Sequence, residues 1–367
     1  MHEPHGTDDL AGAVIGVVGA GTMGAGIAQV ALEAGHEVVL YDVDEAALER
    51  GVERVRAGLG RRAAKLELDA DSIDDWVEGR LANLRTALTL DAVASAADMA
   101  IEAAIEDLDL KRTIFGALDR EAPSEALLAT NTSALSVAEI AAATNRPDHV
   151  LGLHFFNPAP LMPLVEVVRA PQTDADSVAR ATALMERWGK TPVVVADAPG
   201  FIVNRVNRPF TLEALRMLEA GEARITDIDA AIRAAGYPMG PFELMDLIGI
   251  DVNLAVATAV YEGLGRPNRL RPSPIQERLV ETGRFGRKTG TGFYAYRDGQ
   301  RGDASADLAV AGGGRDSEIV SRIEGAIAQE AELALEAGVA PAESIDLAVR
   351  LGAGHPQGPF ESGRARG

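Results

Sequence analysis

Over the first half of the chain, short runs rich in Val and Ile alternate with longer stretches of helical composition. The largely apolar runs at residues 13–18, 37–41, 99–104, 126–130 and 150–155 read as strands buried on both faces. Between the first two, residues 22–34 read as a helix that stops at Gly35, a residue suited to the position just past a helix end. Such alternation predicts a parallel sheet covered by helices on both sides. Residues 46–90, rich in Ala, Leu, Arg and Glu, predict a long helical excursion within the same domain. After Asp197-Ala198-Pro199-Gly200 the pattern changes, and from about residue 201 to 262 the apolar spacing is helical with no strand run. A domain boundary is therefore expected near residue 198. Residues 298–316, rich in Gly, Asp, Ala and Ser, read as a flexible linker.

The second half contains an internal repeat. Ile228-Asp229 leads through Gly236-Tyr237-Pro238-Met239 to Gly240-Pro241-Phe242-Glu243, and Ile345-Asp346 leads through Gly354-His355-Pro356-Gln357 to Gly358-Pro359-Phe360-Glu361. The two copies keep the same offset to within one residue. The expected order is an α/β N-terminal domain at 1–198, a helical domain at 199–297, a linker at 298–316 and a shortened second helical repeat at 317–367.

Gly19-x-Gly21-x-x-Gly24 lies between the first predicted strand and the first predicted helix. One glycine makes the tight turn, one lets the backbone approach a pyrophosphate, and one lets strand and helix pack closely. The helix start adds N–H groups and a positive dipole end for an anion. Asp42 closes the second strand. A carboxylate there accepts the ribose hydroxyls and repels a 2′-phosphate, which favours NAD over NADP. FAD is the main rival for this signature, and the residues downstream favour the nicotinamide.

Residues 151–156 and 164–168 are strand-like, and 157–163 between them holds three prolines that cannot continue a ladder. Folding back about residue 160 places His154 and Glu166, each six residues away, opposite one another. A carboxylate beside an imidazole fixes its tautomer and stabilises the imidazolium formed on taking a proton. A lone His on an apolar strand is more often structural; the opposing acid makes His154 the candidate base. Asn131-Thr132-Ser133 ends a predicted strand, where ligands gather in open α/β sheets, and the same residues equally suit a helix N-cap. Asn204 lies early in the first helix of the second domain, with its amide in reach of an interdomain cleft, and a plain surface Asn is the competing reading.

The net charge of −20 argues against a nucleic-acid partner, and any anionic substrate then needs a local basic pocket. Arg61, Arg62 and Lys65 offer such a patch for coenzyme A phosphates, and a solvated helix face is the blander reading. With no Cys there is no thiol nucleophile, disulfide or thiolate metal site, and no metal is expected. Residues 1–10 lack the basic start and apolar run of a leader, and no apolar stretch is long enough to span a bilayer. The expectation is a cytoplasmic protein with no membrane partner.

Several segments together resemble the 3-hydroxyacyl-CoA dehydrogenases. These are the glycine motif with Met23 and Gly26-Ile27-Ala28-Gln29, Asn131-Thr132-Ser133, His154-Phe155-Phe156-Asn157-Pro158, Pro199-Gly200-Phe201 with Asn204-Arg205, and Tyr237 to Glu243. Lys288-Thr289-Gly290 with Gly292-Phe293-Tyr294 adds to the resemblance, which covers about residues 13–296. The tandem helical repeat resembles bacterial members acting on 3-hydroxybutyryl-CoA or 3-hydroxyadipyl-CoA.

The resemblance implies a Rossmann-type N-terminal domain, an all-α C-terminal domain with a shortened second repeat, NAD as cofactor, a coenzyme A thioester as substrate and a homodimer. It implies oxidation of an (S)-3-hydroxyacyl-CoA, with His154 as base, Glu166 as its partner, and Ser133 and Asn204 as donors to the substrate oxygen. It places Gly19, Gly21, Thr22, Met23, Gly24, Asp42, Glu106, Lys111 and Asn131 at the cofactor. Ala134 departs from the second serine that many relatives carry. Two other readings stay open: a dehydrogenase of a free 3-hydroxy or sugar acid, and a non-catalytic crystallin-like protein that keeps the scaffold.

Overall fold

The computed structural model describes residues 10–311 and 313–364, so the reading of residues 1–9 as leaderless lies outside the described residues. The chain divides between Asp197 and Ala198 into two compact units. In the first, β1 (Val14–Val18), β2 (Glu37–Tyr41), β3 (Leu84–Ala87), β4 (Met99–Glu102), β5 (Leu127–Thr130), β6 (Val150–Phe155), β7 (Leu164–Arg169) and β8 (Thr191–Ala196) form an 8-stranded sheet. The spatial order is β3-β2-β1-β4-β5-β6-β7-β8. Strands β1 to β6 are parallel; β7 pairs antiparallel with β6, and β8 runs parallel to β7. The chain reverses its winding between β1 and β4, and the crevice beyond their carboxyl ends is where open sheets of this kind bind ligands.

The helices α1 (Thr22–Glu33), α2 (Glu45–Ala64), α3 (Ala70–Leu81), α4 (Leu90–Ala94), α5 (Leu108–Glu121), α6 (Val137–Ala141) and α7 (Ala175–Arg187) complete this unit. The core unites strand residues Ile15, Val17, Leu40 and Ile101 with Ile27, Ala31 and Leu32 of α1. Central strands buried on both faces are apolar at most positions, which is why their runs stand out. The two that composition hid are edge strands: β3, inside the expected helical excursion, is half-exposed, and β8 tolerates Pro192 because an edge can spare a donor.

The second unit contains α8 (Val203–Val206), α9 (Arg208–Glu219), α10 (Ile225–Ala234), α11 (Pro241–Ile248), α12 (Ile250–Gly263) and α13 (Pro274–Glu281). A hairpin follows, β9 (Tyr294–Arg297) and β10 (Gln300–Ala304), and then α14 (Asp316–Glu336), α15 (Ala342–Ala353) and α16 (Pro359–Arg364). No single described helix is long and apolar enough to cross a membrane. The expected flexible linker is corrected over its first part. Asp298 and Gly299, at φ 50 and 74, make the two-residue turn that favours a hairpin, and the Gly-rich composition masked this signal. Arg284 then ties the chain down by donating to Ser305 Oγ and Asp307 Oδ2, each at 2.7 Å.

The sequence repeat has a structural cause. Asp229 accepts from Phe242 N at 3.0 Å and Asp346 from Phe360 N at 2.8 Å, so each aspartate caps the following helix. A Cβ on Gly240 or Gly358 would lie 2.3 Å from that aspartate, so the Gly-Pro-Phe-Glu starts admit no other residue. The second copy lies against the first. Buried Glu330 of α14 accepts from Arg205 at 2.9 Å and from Arg269 at 2.6 Å, and Arg322 reaches Glu213 at 2.9 Å.

His355 closes the same joint. It is buried, its Nε2–H donates to Asn207 Oδ1 at 2.7 Å, and its ring packs on Tyr237 and Phe210. Burial pushes its pKa down from 6.5 to about 4. Between those values the unfolded chain binds a proton that the folded chain refuses, so stability is lost as pH falls through that window. The full effect is about 3 kcal/mol. Denaturant unfolding from pH 6.5 down to 4 should show a loss that His355→Phe largely removes; equal slopes in the two proteins would exclude this role.

Candidate active site

The glycine segment turns from β1 into α1. Gly19 has φ +102, a backbone form that side chains rarely adopt. Gly24 is required by packing, since a Cβ there would lie 1.8 Å from Gly19 O. Gly21 differs from both, for it is extended and a Cβ on it would meet nothing within 4 Å. Asp42, just past β2, accepts from Ala20 N at 2.8 Å and so fastens the loop. Thr22 is exposed and Met23 half-buried beside it, and no side chain caps α1. An uncapped helix start, open space over Gly21 and an acid at the end of β2 together fit a dinucleotide.

The hairpin β6–β7 brings His154 and Glu166 into direct register. Nδ1–H of His154 donates to Glu166 Oε2 at 2.6 Å, and the residues are 4% and 0% exposed. A carboxylate accepting from Nδ1 puts the imidazole lone pair on Nε2. The ring of Phe156 lies 4.5 Å from that of His154. The proline segment is held from below by Lys190, whose buried Nζ donates to Ala159 O at 2.6 Å and Met162 O at 2.9 Å. Burial pushes this lysine below the usual value, against the opposing pull of Glu33.

The 131–135 segment is fastened from two sides. Asn131 Oδ1 accepts from Phe155 N at 2.8 Å, tying the end of β5 to the strand of His154. Glu106 Oε1 accepts from Thr132 Oγ1 at 2.6 Å, Ser133 N at 2.7 Å and Ala134 N at 3.2 Å. Capping of α6 falls to Ser136, which settles the N-cap reading against Ser133. Lys111 is 1% exposed and donates to both oxygens of buried Glu102 at 2.7 and 2.9 Å. Its Nζ also lies 3.4 Å from Glu106 Oε2. Lys111 is thus the buried anchor of an acid pair, and Glu106 arranges the backbone around Ser133. Glu102 went unnoticed in the sequence, where an acid inside the apolar run 99–104 was its only signal. Asn204 belongs to the other unit, half-buried in α8.

A further cleft in the first unit, of about 370 Å³, lies between α1, α2 and the proline segment. Arg54, Arg61, Arg62 and Lys65 line it, along with Thr22, Gln29, Glu33 and Pro160. Sequence reading found three of these cations and missed Arg54. Its spacing of seven from Arg61 puts it on the same helix face, and its Nη1 donates to Ala20 O at 3.3 Å in the glycine loop. Gly58 leaves room at the centre, where a Cβ would lie 1.9 Å from Gln29 Oε1.

Comparison with known proteins agrees with this geometry. Residues 14–198 match the family model of the 3-hydroxyacyl-CoA dehydrogenase NAD binding domain. Residues 200–296 and again 319–367 match the model of the C-terminal domain of the same family. The 3-hydroxyadipyl-CoA dehydrogenase of Escherichia coli is 47% identical over 284 residues, which are 77% of this chain and 59% of that protein. This chain thus spans less than two thirds of that relative. The 3-hydroxybutyryl-CoA dehydrogenase of Mycobacterium tuberculosis is 41% identical over 77% of this chain and 98% of its own. The crystal structure of 3-hydroxybutyryl-CoA dehydrogenase from E. coli K12 superposes with a TM-score of 0.86 at 35% identity, covering 96% of this chain and 91% of that one. Two domain models in tandem, a shared fold over nearly the whole chain and an opposed His–Glu pair on the β6–β7 hairpin place this chain in the 3-hydroxyacyl-CoA dehydrogenase family.

Proposed function

We propose that the chain oxidises the 3-hydroxyl of a short-chain (S)-3-hydroxyacyl-coenzyme A to the 3-ketone, reversibly, with NAD. The observation that carries this reading is His154 held by Glu166 at 2.6 Å in a hairpin whose first strand is tied to the end of β5 by Asn131. Bound at the glycine loop, NAD supplies the hydride acceptor. His154 Nε2 takes the proton of the 3-hydroxyl, and the Glu166 carboxylate stabilises the imidazolium that results. Ser133 and Asn204 donate hydrogen bonds to the substrate oxygen, and Glu106 keeps the Ser133 segment in place. On reduction of the ketone the same imidazolium returns the proton.

The basic cleft supports the thioester form of the substrate. Although the protein carries a net charge of −20, this cleft is lined by four cations and one acid, Glu33. Phosphates are recognised by such charge-assisted contacts. Arg62 also pairs with Glu33 at 3.5 Å, which tempers its charge.

The test compares 3-hydroxybutyryl-CoA with free 3-hydroxybutyrate under NAD and NADP. Oxidation of the thioester with NAD is expected, with little of the free acid. Turnover of the free acid at an equal rate would overturn the thioester reading. Charge reversal at Arg61, Arg62 and Lys65 together should raise KM about tenfold or more with kcat kept, each tenfold being about 1.4 kcal/mol. An unchanged KM would return these residues to a solvated helix face.

A further inference from the structure

Residues 157–163, between β6 and β7, include Pro158, Pro160 and Pro163, so this segment is short of N–H donors and has carbonyls to spare. Two of its own amides, Leu161 N and Met162 N, share Pro158 O at 2.9 and 3.0 Å. The carbonyls of Ala159, Met162 and Pro163 take their donors from residues 190 and 191. Lys190 Nζ donates to Ala159 O at 2.6 Å and Met162 O at 2.9 Å, and Thr191 N to Pro163 O at 2.7 Å. Lys190 is itself 9% exposed and stands between α7 and β8, where its backbone N–H donates to Met185 O at 3.0 Å. The segment also packs on α1, since a Cβ on Gly26 would lie 3.2 Å from Ala159 Cβ and from Pro160 Cδ.

The same segment is one wall of the basic cleft. Its residues from Asn157 to Leu161 line the space together with α1 and the four cations named above, and Lys190 stands behind them without lining it. Lys111, the other buried lysine, meets the acid Glu102, whereas Lys190 bonds carbonyls alone among the described residues. A lysine that served to balance a charge would sit on an acid; one that bonds two carbonyls fixes where those carbonyls lie. The catalytic pair is held independently. His154 and Glu166 face each other within the β6–β7 ladder, outside residues 157–163, so their spacing does not depend on where the segment sits.

We propose that Lys190 is a positioning residue for the thioester: it sets the proline segment at the spacing from α2 that the coenzyme A phosphates need. This rests on the reading above in which the basic cleft takes those phosphates. Without the ammonium, two buried carbonyls lose their donor, and such groups turn to water rather than stay unpaired. The segment then leaves its place, the cleft widens, and the phosphates no longer meet the cations at hydrogen-bond distance. A site serves its ligand while its supporting groups stay within about 0.5 Å. His154 and the glycine loop remain as they were, so the loss falls on KM and spares kcat and NADH binding.

The test measures Kd for coenzyme A and for NADH by calorimetry, with KM and kcat for 3-hydroxybutyryl-CoA, in wild type, Lys190→Met and Lys190→Cys. Lys190→Met should raise KM and the coenzyme A Kd about tenfold or more, with kcat within about threefold and NADH affinity kept. The chain has no cysteine of its own, so aminoethylation of Lys190→Cys in denaturant, before refolding, rebuilds an amine of lysine length at this position alone. The aminoethylated protein should regain the coenzyme A Kd of wild type carried through the same refolding, and the unmodified variant should not. A lower melting temperature with an unchanged coenzyme A Kd reduces Lys190 to a structural role and overturns the proposal. An equal loss of NADH affinity does the same. Should Lys190→Met not fold, Lys190→Gln, with two donors on a shorter arm, decides by the same Kd. Charge reversal at Arg61, Arg62 and Lys65 separates this proposal from the reading beneath it. If that reversal weakens coenzyme A binding and the Lys190 variants do not, this proposal alone falls; if wild type binds no coenzyme A, both fall.

Discussion

Alanine at position 154 lowers kcat by about 10²–10⁴-fold, the span that a positioned general base contributes. The argument is geometric. Among the described titratable groups, the His154–Glu166 pair is buried on the hairpin next to the strand end that Asn131 ties down, and its 2.6 Å bond fixes which nitrogen accepts a proton. NADH affinity, read by fluorescence titration, should stay at the wild-type value, because the glycine loop is held by Asp42 and Arg54 instead. Loss of kcat with NADH binding intact separates a chemical role from a folding one. Glu166→Gln retains the size of the partner and removes its charge, so it should lower kcat without removing the hydrogen bond. An unchanged kcat in His154→Ala would end the assignment.

Alanine at Gly21 and at Gly24 should have opposite consequences for stability, although the two residues belong to one motif. Gly24→Ala forces a Cβ to within 1.8 Å of the Gly19 carbonyl oxygen, and backbone cannot yield as a side-chain tip does. Overpacking of this kind costs about 1–3 kcal/mol or more, so thermal stability falls along with cofactor binding. At Gly21 the backbone has φ −65 and ψ −167, and an added Cβ meets nothing within 4 Å. Neither strain nor packing asks for glycine there. Gly21→Ala should keep or slightly raise stability, by about 0.4–1 kcal/mol through the unfolded chain. It should nonetheless weaken NADH binding about tenfold or more, because the methyl group occupies the space reserved for a pyrophosphate. Calorimetric melting beside NADH titration reads both effects. Full NADH affinity in Gly21→Ala would show that the open space serves something else.

Much of the first unit was legible because its central strands are buried on both faces. Ile15, Val17, Met99, Ile101, Leu127 and Leu151 have no exposed area, and the few polar residues in their runs, such as Glu102 and His154, are themselves buried. Opposition of His154 and Glu166 was legible for a different reason. A hairpin has a midpoint, and counting outward from residue 160 gives its register. Edge strands such as β3 need only one apolar face, and their shortness left no pattern to read. The Asp298-Gly299 turn was readable in principle and was hidden by its Gly-rich surroundings.

Local sequence therefore determined what depends on neighbours along the chain: the strand–helix alternation, the glycine turn, the histidine hairpin and the repeated aspartate caps. Tertiary structure alone decided the matters of long-range pairing. Lys111 is a buried anchor to Glu102 and Glu106 orders the Ser133 segment, because residues far apart in sequence meet only when β4, β5 and α5 pack. Arg205 finds Glu330, more than a hundred residues away, while Arg208, three residues on, finds no acid. No periodicity distinguishes those two arginines, since burial and the presence of a counter-charge are properties of the packed chain.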